Sequence, residues 1–309
     1  LEYLEVMDGV GEPGLIIDGS ISPHSFTMKP SHAKMLEEAD VIFWIGEGIE
    51  TSMEEPLDSI AKDAEVIEFM ELDSIAKLKF REESIFGDHD DHDDHDDHGD
   101  DGKGFWSNLF GLGEDHHDHD DHGDDGHKDH SDHGHGEFNL HVWLDPENAR
   151  VMVNEIMEAL KKIDPANAEK YEANAKKVVV RLNSLTTEIT NKLLSSKGKG
   201  FIVFHDAYQY FEERFGIAAV GSITVSSEVL PGAKRIKELK AKIKELDALC
   251  VFSEPQFEPK LVSTVVEGTQ ARTGVLDPLG ASIQDGPELY FILIRNMANS
   301  LQECLMKKG

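Results

Sequence analysis

A long, uninterrupted helical pattern near the middle of the chain constrains the fold most. After Pro165, and as far as about Leu194, apolar residues recur every three or four positions with no further glycine or proline. Asp164 and Pro165 are typical of a helix start, because a side-chain oxygen caps the first turn and proline fits its first position. A helix of about 30 residues spans roughly 45 Å, enough to cross a whole domain. The apolar residues expected to be buried are Tyr171, Ala175, Val178, Leu182, Leu185, Ile189 and Leu193.

Short apolar runs alternate with helical patterns on both sides of this helix, which favours mostly parallel sheets. We therefore expect an α/β fold with two Rossmann-like lobes joined by one long rigid helix. Residues 1–163 are assigned to an N-terminal lobe, 164–196 to the connecting helix and 197–309 to a C-terminal lobe. The expected strands are GLIID (14–18), DVIFWIG (40–46), EVIEFM (65–70), FIVFHD (201–206), IAAVGS (217–222), ALCVFSE (248–254) and TGVLD (273–277). Helices of the second half are expected to begin near Ala207, Pro231, Phe257 and Pro287.

An insert at 87–137 interrupts the first half and is dominated by aspartate and histidine. Between Asp88 and Glu137 the charges sum to −17, more than half of the chain's net −31. Too few apolar residues occur there to offset the entropy of ordering, so we expect a disordered loop. Cations are the natural partners of such a field, whereas nucleic acid is not expected, since no basic patch could neutralise its phosphates. The expected low-affinity metal ligands are His89, His92, His95, His98, His116, His117, His119, His122, His127, His130, His133 and His135.

Other features of the composition exclude a membrane span and leave the cysteines open. No apolar run approaches the roughly 20 residues that a spanning helix requires. The opening LEYLEVMDGVGEPG resembles the end of a helix, so we expect a further segment before Leu1. The only cysteines are Cys250 and Cys304. On composition alone they fit one disulfide or two buried thiols equally well.

Four histidines lie outside the insert, and three of them occupy predicted loop positions. His24 comes a few residues after GLIID, His205 ends FIVFH, and His141 begins the chain just after the insert. Asp277 ends the last predicted strand. Ligands of open parallel sheets bind beyond the carboxyl ends of the strands, so these four side chains are expected around one crevice. His32 falls inside a predicted surface helix and is expected to be solvated.

Five motifs give the chain a resemblance to the zinc-specific substrate-binding proteins of bacterial ABC importers. They are GSISPHSFTMKPSHAKMLEEADVIFWIGEGIE (19–50), HVWLDPENA (141–149), FIVFHDAYQYFEERFG (201–216), SEPQF (253–257) and VLDPLG (275–280). The resemblance implies two lobes bridged by a rigid helix, metal held between them, export to the periplasm, and an ABC-type membrane permease as partner. Carried over by motif, the ligands are His24, His141 and His205, with Asp277 as a possible fourth. The resemblance also favours a disulfide between Cys250 and Cys304.

The donor set favours Zn²⁺ as the ion. Zinc accepts imidazole and carboxylate in a four-coordinate shell, whereas Mn²⁺ prefers more oxygen ligands. Manganese-binding relatives resemble this fold with a carboxylate in place of the third histidine, where His205 stands here. Some relatives carry a glutamate just before the first histidine, but Pro23 occupies that position, so Asp277 or water must complete the shell. Because histidine protonates near pH 6.5, we expect affinity to fall steeply in acid.

Three alternative functions remain at the level of sequence. A zinc storage protein or chaperone would act mainly through the insert, and a Mn²⁺- or Fe²⁺-binding member of the same family would keep the crevice but change the ion. A zinc hydrolase would need an open coordination position and a general base. Glu228 and Glu254 are acids available for that role, but neither lies in a recognisable motif. We expect a monomeric binding protein without catalytic activity, in which the insert raises the local zinc concentration, senses zinc load or passes ions to His141.

Overall fold

The computed structural model describes residues 3–81, 137–224, 231–246, 248–257 and 260–306. The twelve histidines of the insert and Glu228 lie outside these ranges, and the expectations about them stay predictions. Both lobes belong to one compact unit. No described helix is both long enough and apolar enough to cross a membrane.

The first lobe contains a small parallel sheet flanked by helices. Strands β1 and β2 pair in register from Val41↔Glu65 to Trp44↔Glu68. Behind them, Phe26, Leu36 and Trp44 belong to a buried apolar cluster. In chain order the elements are α1 (Tyr3–Val6), α2 (Pro30–Glu37), β1 (Val41–Trp44), α3 (Glu54–Ser59) and β2 (Glu65–Glu68).

The strand expected at 14–18 is wrong. Residues 11–18 form irregular chain without ladder pairing to any described strand. Ile16 and Ile17 nevertheless pack against the apolar cluster of the first lobe. The apolar run therefore predicted packing correctly, but a strand also needs a neighbouring backbone to accept its hydrogen bonds.

The long helix is confirmed. A 3₁₀ turn, Pro165–Asn167, leads into α5 (Ala168–Leu193), which ends in the 3₁₀ turn Leu194–Ser196. Asp164 accepts hydrogen bonds from Asn167 Nδ2 at 2.7 Å and from the Tyr171 hydroxyl at 2.9 Å, which fixes the start. All seven predicted apolar positions are buried. The preceding helix α4 (Pro146–Ile163) packs along α5, capped at its start by Asp145, whose carboxylate accepts the Glu147 N–H at 2.8 Å.

The second lobe contains a four-stranded parallel sheet in the order β4-β3-β5-β6. Each of its strands overlaps a predicted one, although the strand expected at 217–222 is paired only at Gly221 and Ser222. A disulfide joins Cys250 to Cys304 and ties β5 to the last helix, as the family resemblance implied. The elements are β3 (Phe201–Val203), α6 (Gln209–Phe215), β4 (Gly221–Ser222), α7 (Ala233–Glu245), β5 (Cys250–Ser253), α8 (Lys260–Val266), β6 (Arg272–Val275) and α9 (Leu289–Met306).

Candidate metal centre

Three of the predicted ligands converge on one point. His24 lies in the 3₁₀ turn Pro23–Ser25, His141 directly precedes the turn that leads into α4, and His205 follows β3. One ring nitrogen from each of the three histidines lies within 4.8 Å of those of the other two. They form the one such cluster of potential metal ligands among the described residues. Sequence reasoning therefore found three side chains that are far apart in the chain and meet in space.

The rings of His141 and His205 are fixed by hydrogen bonds on their Nδ1 atoms. Nδ1 of His205 lies 2.8 Å from Oε1 of Glu254, a carboxylate oxygen that can only accept. Nδ1 of His141 lies 2.9 Å from Oδ1 of Asn139. Since the amide nitrogen of Asn139 donates to the carbonyl of Asp206 at 2.8 Å, its oxygen faces the ring and accepts. Both imidazoles therefore carry the proton on Nδ1. This leaves the lone pair of Nε2 available to coordinate a metal.

These two Nε2 atoms face each other at 3.3 Å. With both rings neutral and protonated on Nδ1, each atom presents a lone pair to the other, an arrangement that a cation between them would relieve. Two nitrogens bound tetrahedrally to zinc at about 2.0–2.1 Å lie roughly 3.3–3.4 Å apart. We name His141 and His205 the locked pair, since a hydrogen bond fixes each ring at the spacing that tetrahedral zinc requires.

His24 completes the cluster, but no hydrogen bond between described residues engages its buried Nε2. Its ring centre lies 5.7 Å from that of His141 and 6.1 Å from that of His205. Burial, followed by the electrostatic effect of the neighbouring His205, lowers the pKa of His24 to about 4. Burial also lowers the pKa of His141 well below its usual value. Both rings are therefore held neutral near pH 7, which is the form that binds metal.

The space between the three rings is small and largely apolar. The cavity measures about 10 Å³, the scale of a single ion or water molecule. Pro23, Phe257 and Leu279 are among the residues that line it. The indole of Trp143 packs 5.2 Å from the His141 ring and donates to the carbonyl of Pro278 at 2.9 Å. Such walls exclude larger ligands and limit access of water to an ion.

Asp277 is near this cluster but does not belong to it. Its Oδ1 accepts the backbone N–H groups of Leu279 at 3.1 Å and Gly280 at 2.9 Å, and so caps the turn after β6. The strand order supplies the reason for this position: β6 pairs with β5 and not with β3, so Asp277 ends a strand one place further from His205.

Glu254 is the residue whose role the sequence did not reveal. From sequence alone it is only an available acid, yet it is buried beside His205 with 2% of its surface exposed. It follows β5, which pairs directly with β3, so the carboxyl ends of the two strands bring Glu254 and His205 together. Burial and the Glu254 charge also raise the pKa of Tyr208 well above its usual value. The signal available in the sequence was the acid that ends a predicted strand in SEPQF.

His32 belongs to a different structure. It lies in α2, where its Nδ1 accepts the backbone N–H of Lys29 at 3.3 Å and its ring stacks on Phe26 at 5.3 Å. The sequence predicted a solvated His32, but its side chain is partly buried. Its role is to cap the first turn of its helix.

A two-lobed α/β fold in which three histidine rings converge on one point fits a metal-binding protein. The family model of the zinc-uptake complex component A, periplasmic (ZnuA), matches residues 4–304. The chain is 52% identical over 302 residues to the high-affinity zinc uptake system protein ZnuA of Brucella suis, covering 98% of this chain and 87% of that protein. The corresponding protein of Yersinia pestis is 33% identical, with 97% and 86% covered. The chain belongs to the ZnuA family.

Solved structures agree in fold. A crystal structure of ZnuA aligns with a TM-score of 0.69 at 22% identity and covers 96% of this chain and 93% of that one. The periplasmic zinc binding protein TroA from Treponema pallidum aligns with a TM-score of 0.72 at 17% identity, with 98% and 94% covered. At these identities the likeness concerns the fold alone, and it confirms the two-lobe architecture expected from the sequence.

Proposed function

We propose that this protein captures Zn²⁺ between its lobes in the periplasm and delivers it to the membrane permease of an ABC importer. Zinc is then the transported substrate rather than a resident cofactor. The observation that supports this most strongly is the locked pair, whose Nε2 atoms face each other 3.3 Å apart. The named relatives in Brucella suis and Yersinia pestis are high-affinity zinc uptake system proteins, which agrees with this function.

We propose His24, His141 and His205 as the protein ligands, with the fourth position held by Asp277 or by water. Asp277 already uses Oδ1 in the turn that contains Gly280, so its Oδ2 is the oxygen that would reach the ion. Asp277→Asn tests this assignment by a zinc titration. A ligand role predicts an affinity loss of about tenfold or more, because the only anionic donor is neutralised. A shell completed by water predicts a change of less than about threefold.

The same chemistry separates this function from its alternatives. Three imidazoles suit Zn²⁺ better than Mn²⁺, which prefers oxygen donors. A hydrolase needs a free general base beside the metal. Glu254, the buried acid next to the site, already accepts the Nδ1 proton of His205 through Oε1, and this use opposes a role as base. The protein is therefore proposed to bind and release its ion without catalysing a reaction.

Calorimetric titration with Zn²⁺ and Mn²⁺, on the intact chain and on a variant lacking residues 88–136, tests the function. We expect one tight zinc event in both proteins, with weaker events confined to the intact chain. Excess Mn²⁺ should not displace the tightly bound zinc. Loss of the tight event on deletion would favour storage through the insert, and displacement by Mn²⁺ would favour a manganese-binding function.

A further inference from the structure

The two chain segments that flank residues 82–136 meet beside the metal centre. Residues 78–81 and 137–139 run antiparallel, with a bridge between Lys79 and Phe138 and backbone hydrogen bonds of 2.8 and 3.0 Å. We name these two segments the insert base. The hydroxyl of Tyr210 fastens the base to α6, because it donates to a carbonyl of one segment at 2.5 Å and accepts an N–H of the other at 3.0 Å.

Arg81 ends the first segment of the base and bridges two buried carboxylates. Its Nε donates to Oδ2 of Asp206 at 2.8 Å, and its Nη2 donates to Oδ1 of the same group. Its Nη1 and Nη2 also donate to the two oxygens of Glu212 at 3.0 and 3.2 Å. Asp206 and Glu212 are only 3% and 4% exposed. A planar guanidinium can grip both carboxylates at once, which the point charge of a lysine cannot do.

The contact between Arg81 and Asp206 is connected to both members of the locked pair. Asp206 directly follows His205, and its carbonyl accepts the side-chain amide of Asn139 at 2.8 Å. Asn139 in turn accepts both the backbone N–H of His141, at 3.1 Å, and its ring Nδ1–H, at 2.9 Å. A displacement of Asp206 would therefore move the backbone that carries one ligand and the hydrogen bond that orients the other.

We propose that Arg81 is a positioning residue of the metal site. By pairing with Asp206 and Glu212 it holds the locked pair at the spacing that an ion requires. Without the guanidinium, the buried carboxylates of Asp206 and Glu212 would lose the cation that joins them, so at least one of the two side chains must move. The inference rests on the proposed function only in that the site binds Zn²⁺.

The test compares Arg81→Met with Arg295→Met in the full chain. Arg295 is a matched control, since it also grips a carboxylate with two nitrogens, that of Glu188, but on the exposed surface. Zinc affinity of the tight event is measured by calorimetry, and the absorption spectrum of one equivalent of Co²⁺ reports the geometry around the ion. Arg81→Met should weaken zinc binding by about tenfold and change the Co²⁺ spectrum, since loss of outer-shell partners commonly costs 10- to 100-fold. Arg295→Met should change neither.

Two outcomes would overturn the inference. If Arg81→Met lowers the melting temperature but leaves the zinc Kd within about twofold and the Co²⁺ spectrum unchanged, then Arg81 only stabilises the fold. If Arg81→Met does not fold, Arg81→Lys decides, because it keeps the charge and loses the two-sided grip. It should then weaken binding by about threefold, and unaltered affinity would contradict the proposal. Absence of tight zinc binding in the wild-type chain would instead contradict the proposed function.

Discussion

The two lobes hold the metal site in different ways. His205 follows a strand in the middle of the four-stranded sheet and is fixed by Glu254 from the neighbouring strand. His141, though outside that sheet, is oriented by Asn139, which itself bonds to Asp206 in the second lobe. His24 comes from a short turn of the first lobe, and its buried Nε2 has no partner among the described residues. Hydrogen bonds to the second lobe thus orient His205 and, through Asn139, His141 of the first lobe, while His24 from a turn of the first lobe can adjust to the ion.

Removal of the disulfide, which ties β5 of the second lobe to α9, should have the largest effect on stability. It tests whether the sheet alone keeps His205 in place. The double variant Cys250→Ala/Cys304→Ala should lower the free energy of unfolding by up to about 4 kcal/mol, since the bridge closes a long loop of the unfolded chain. Its zinc affinity should change little, because the sheet core still places His205 beside Glu254. Urea unfolding and calorimetry measure the two effects. A large affinity loss in the folded variant would show that the sheet alone does not hold the ligand.

Removal of single histidines should show whether the locked pair contributes more to zinc binding than His24 does. His141→Ala should weaken the tight zinc event by at least about a hundredfold, because one member of the preorganised pair is lost. His24→Ala should cost less, about tenfold, because its ring must be ordered by the ion and contributes less net free energy. The same zinc titration measures both variants. Equal losses would contradict the idea that the locked pair contributes more to binding than His24 does.

Glu254→Gln should weaken zinc binding less than His141→Ala does. The amide oxygen can still accept the Nδ1 proton of His205, but the negative charge that makes the ring a stronger donor is gone. We expect zinc affinity to fall by about tenfold. Glu267→Gln is the matched control, since that carboxylate is 79% exposed. Affinity equal to that of the control would mean that Glu254 fixes the ring without tuning its basicity.

The first lobe should show a pH dependence of its own through Glu50. Burial raises the pKa of this carboxyl from 4.5 to about 7, although the N–H groups of Ile45 and Gly46 oppose the shift. Between these values the folded chain binds the extra proton, so stability falls as pH rises from 4.5 to 7 and stays lower above. Glu50→Gln should therefore stabilise the protein by up to about 3 kcal/mol at pH 8 and hardly at all at pH 4.5.

Urea unfolding across this pH range measures the effect, with the exposed Glu55→Gln as control. A pH profile of Glu50→Gln that parallels the wild type would show that the Glu50 carboxyl does not set the dependence.

The sequence predicted the histidine cluster better than the hydrogen-bond partners of its rings. His24 lies in a turn, His141 directly precedes one and His205 follows β3, and parallel sheets place loops at the strand ends together. The roles of Glu254 and Asn139 depended on information that no local pattern contains: that β3 pairs with β5, and that the chain returns to Asp206 after the insert. That strand order places Glu254, rather than Asp277, next to His205.

The long helix and the strand wrongly predicted at 14–18 show the same limit of prediction from sequence for the fold. Twenty-six residues of regular period predicted α5 well, because burial along one face follows directly from sequence spacing. The run at 14–18 has the apolarity of a strand, yet it lies unpaired against the first lobe. Burial can be read from residue type, whereas pairing depends on which segment lies alongside.

A zinc titration of the intact chain, His205→Ala and His32→Ala tests most directly whether the histidine cluster is the tight zinc site. His32 is the matched control, since it caps α2 away from the cluster. We expect one tight event and several weak ones in the intact chain and in His32→Ala, with only the tight event lost in His205→Ala. If His205→Ala bound zinc as the intact chain does, the insert would be the principal binder and the interlobe site would not be the site of capture.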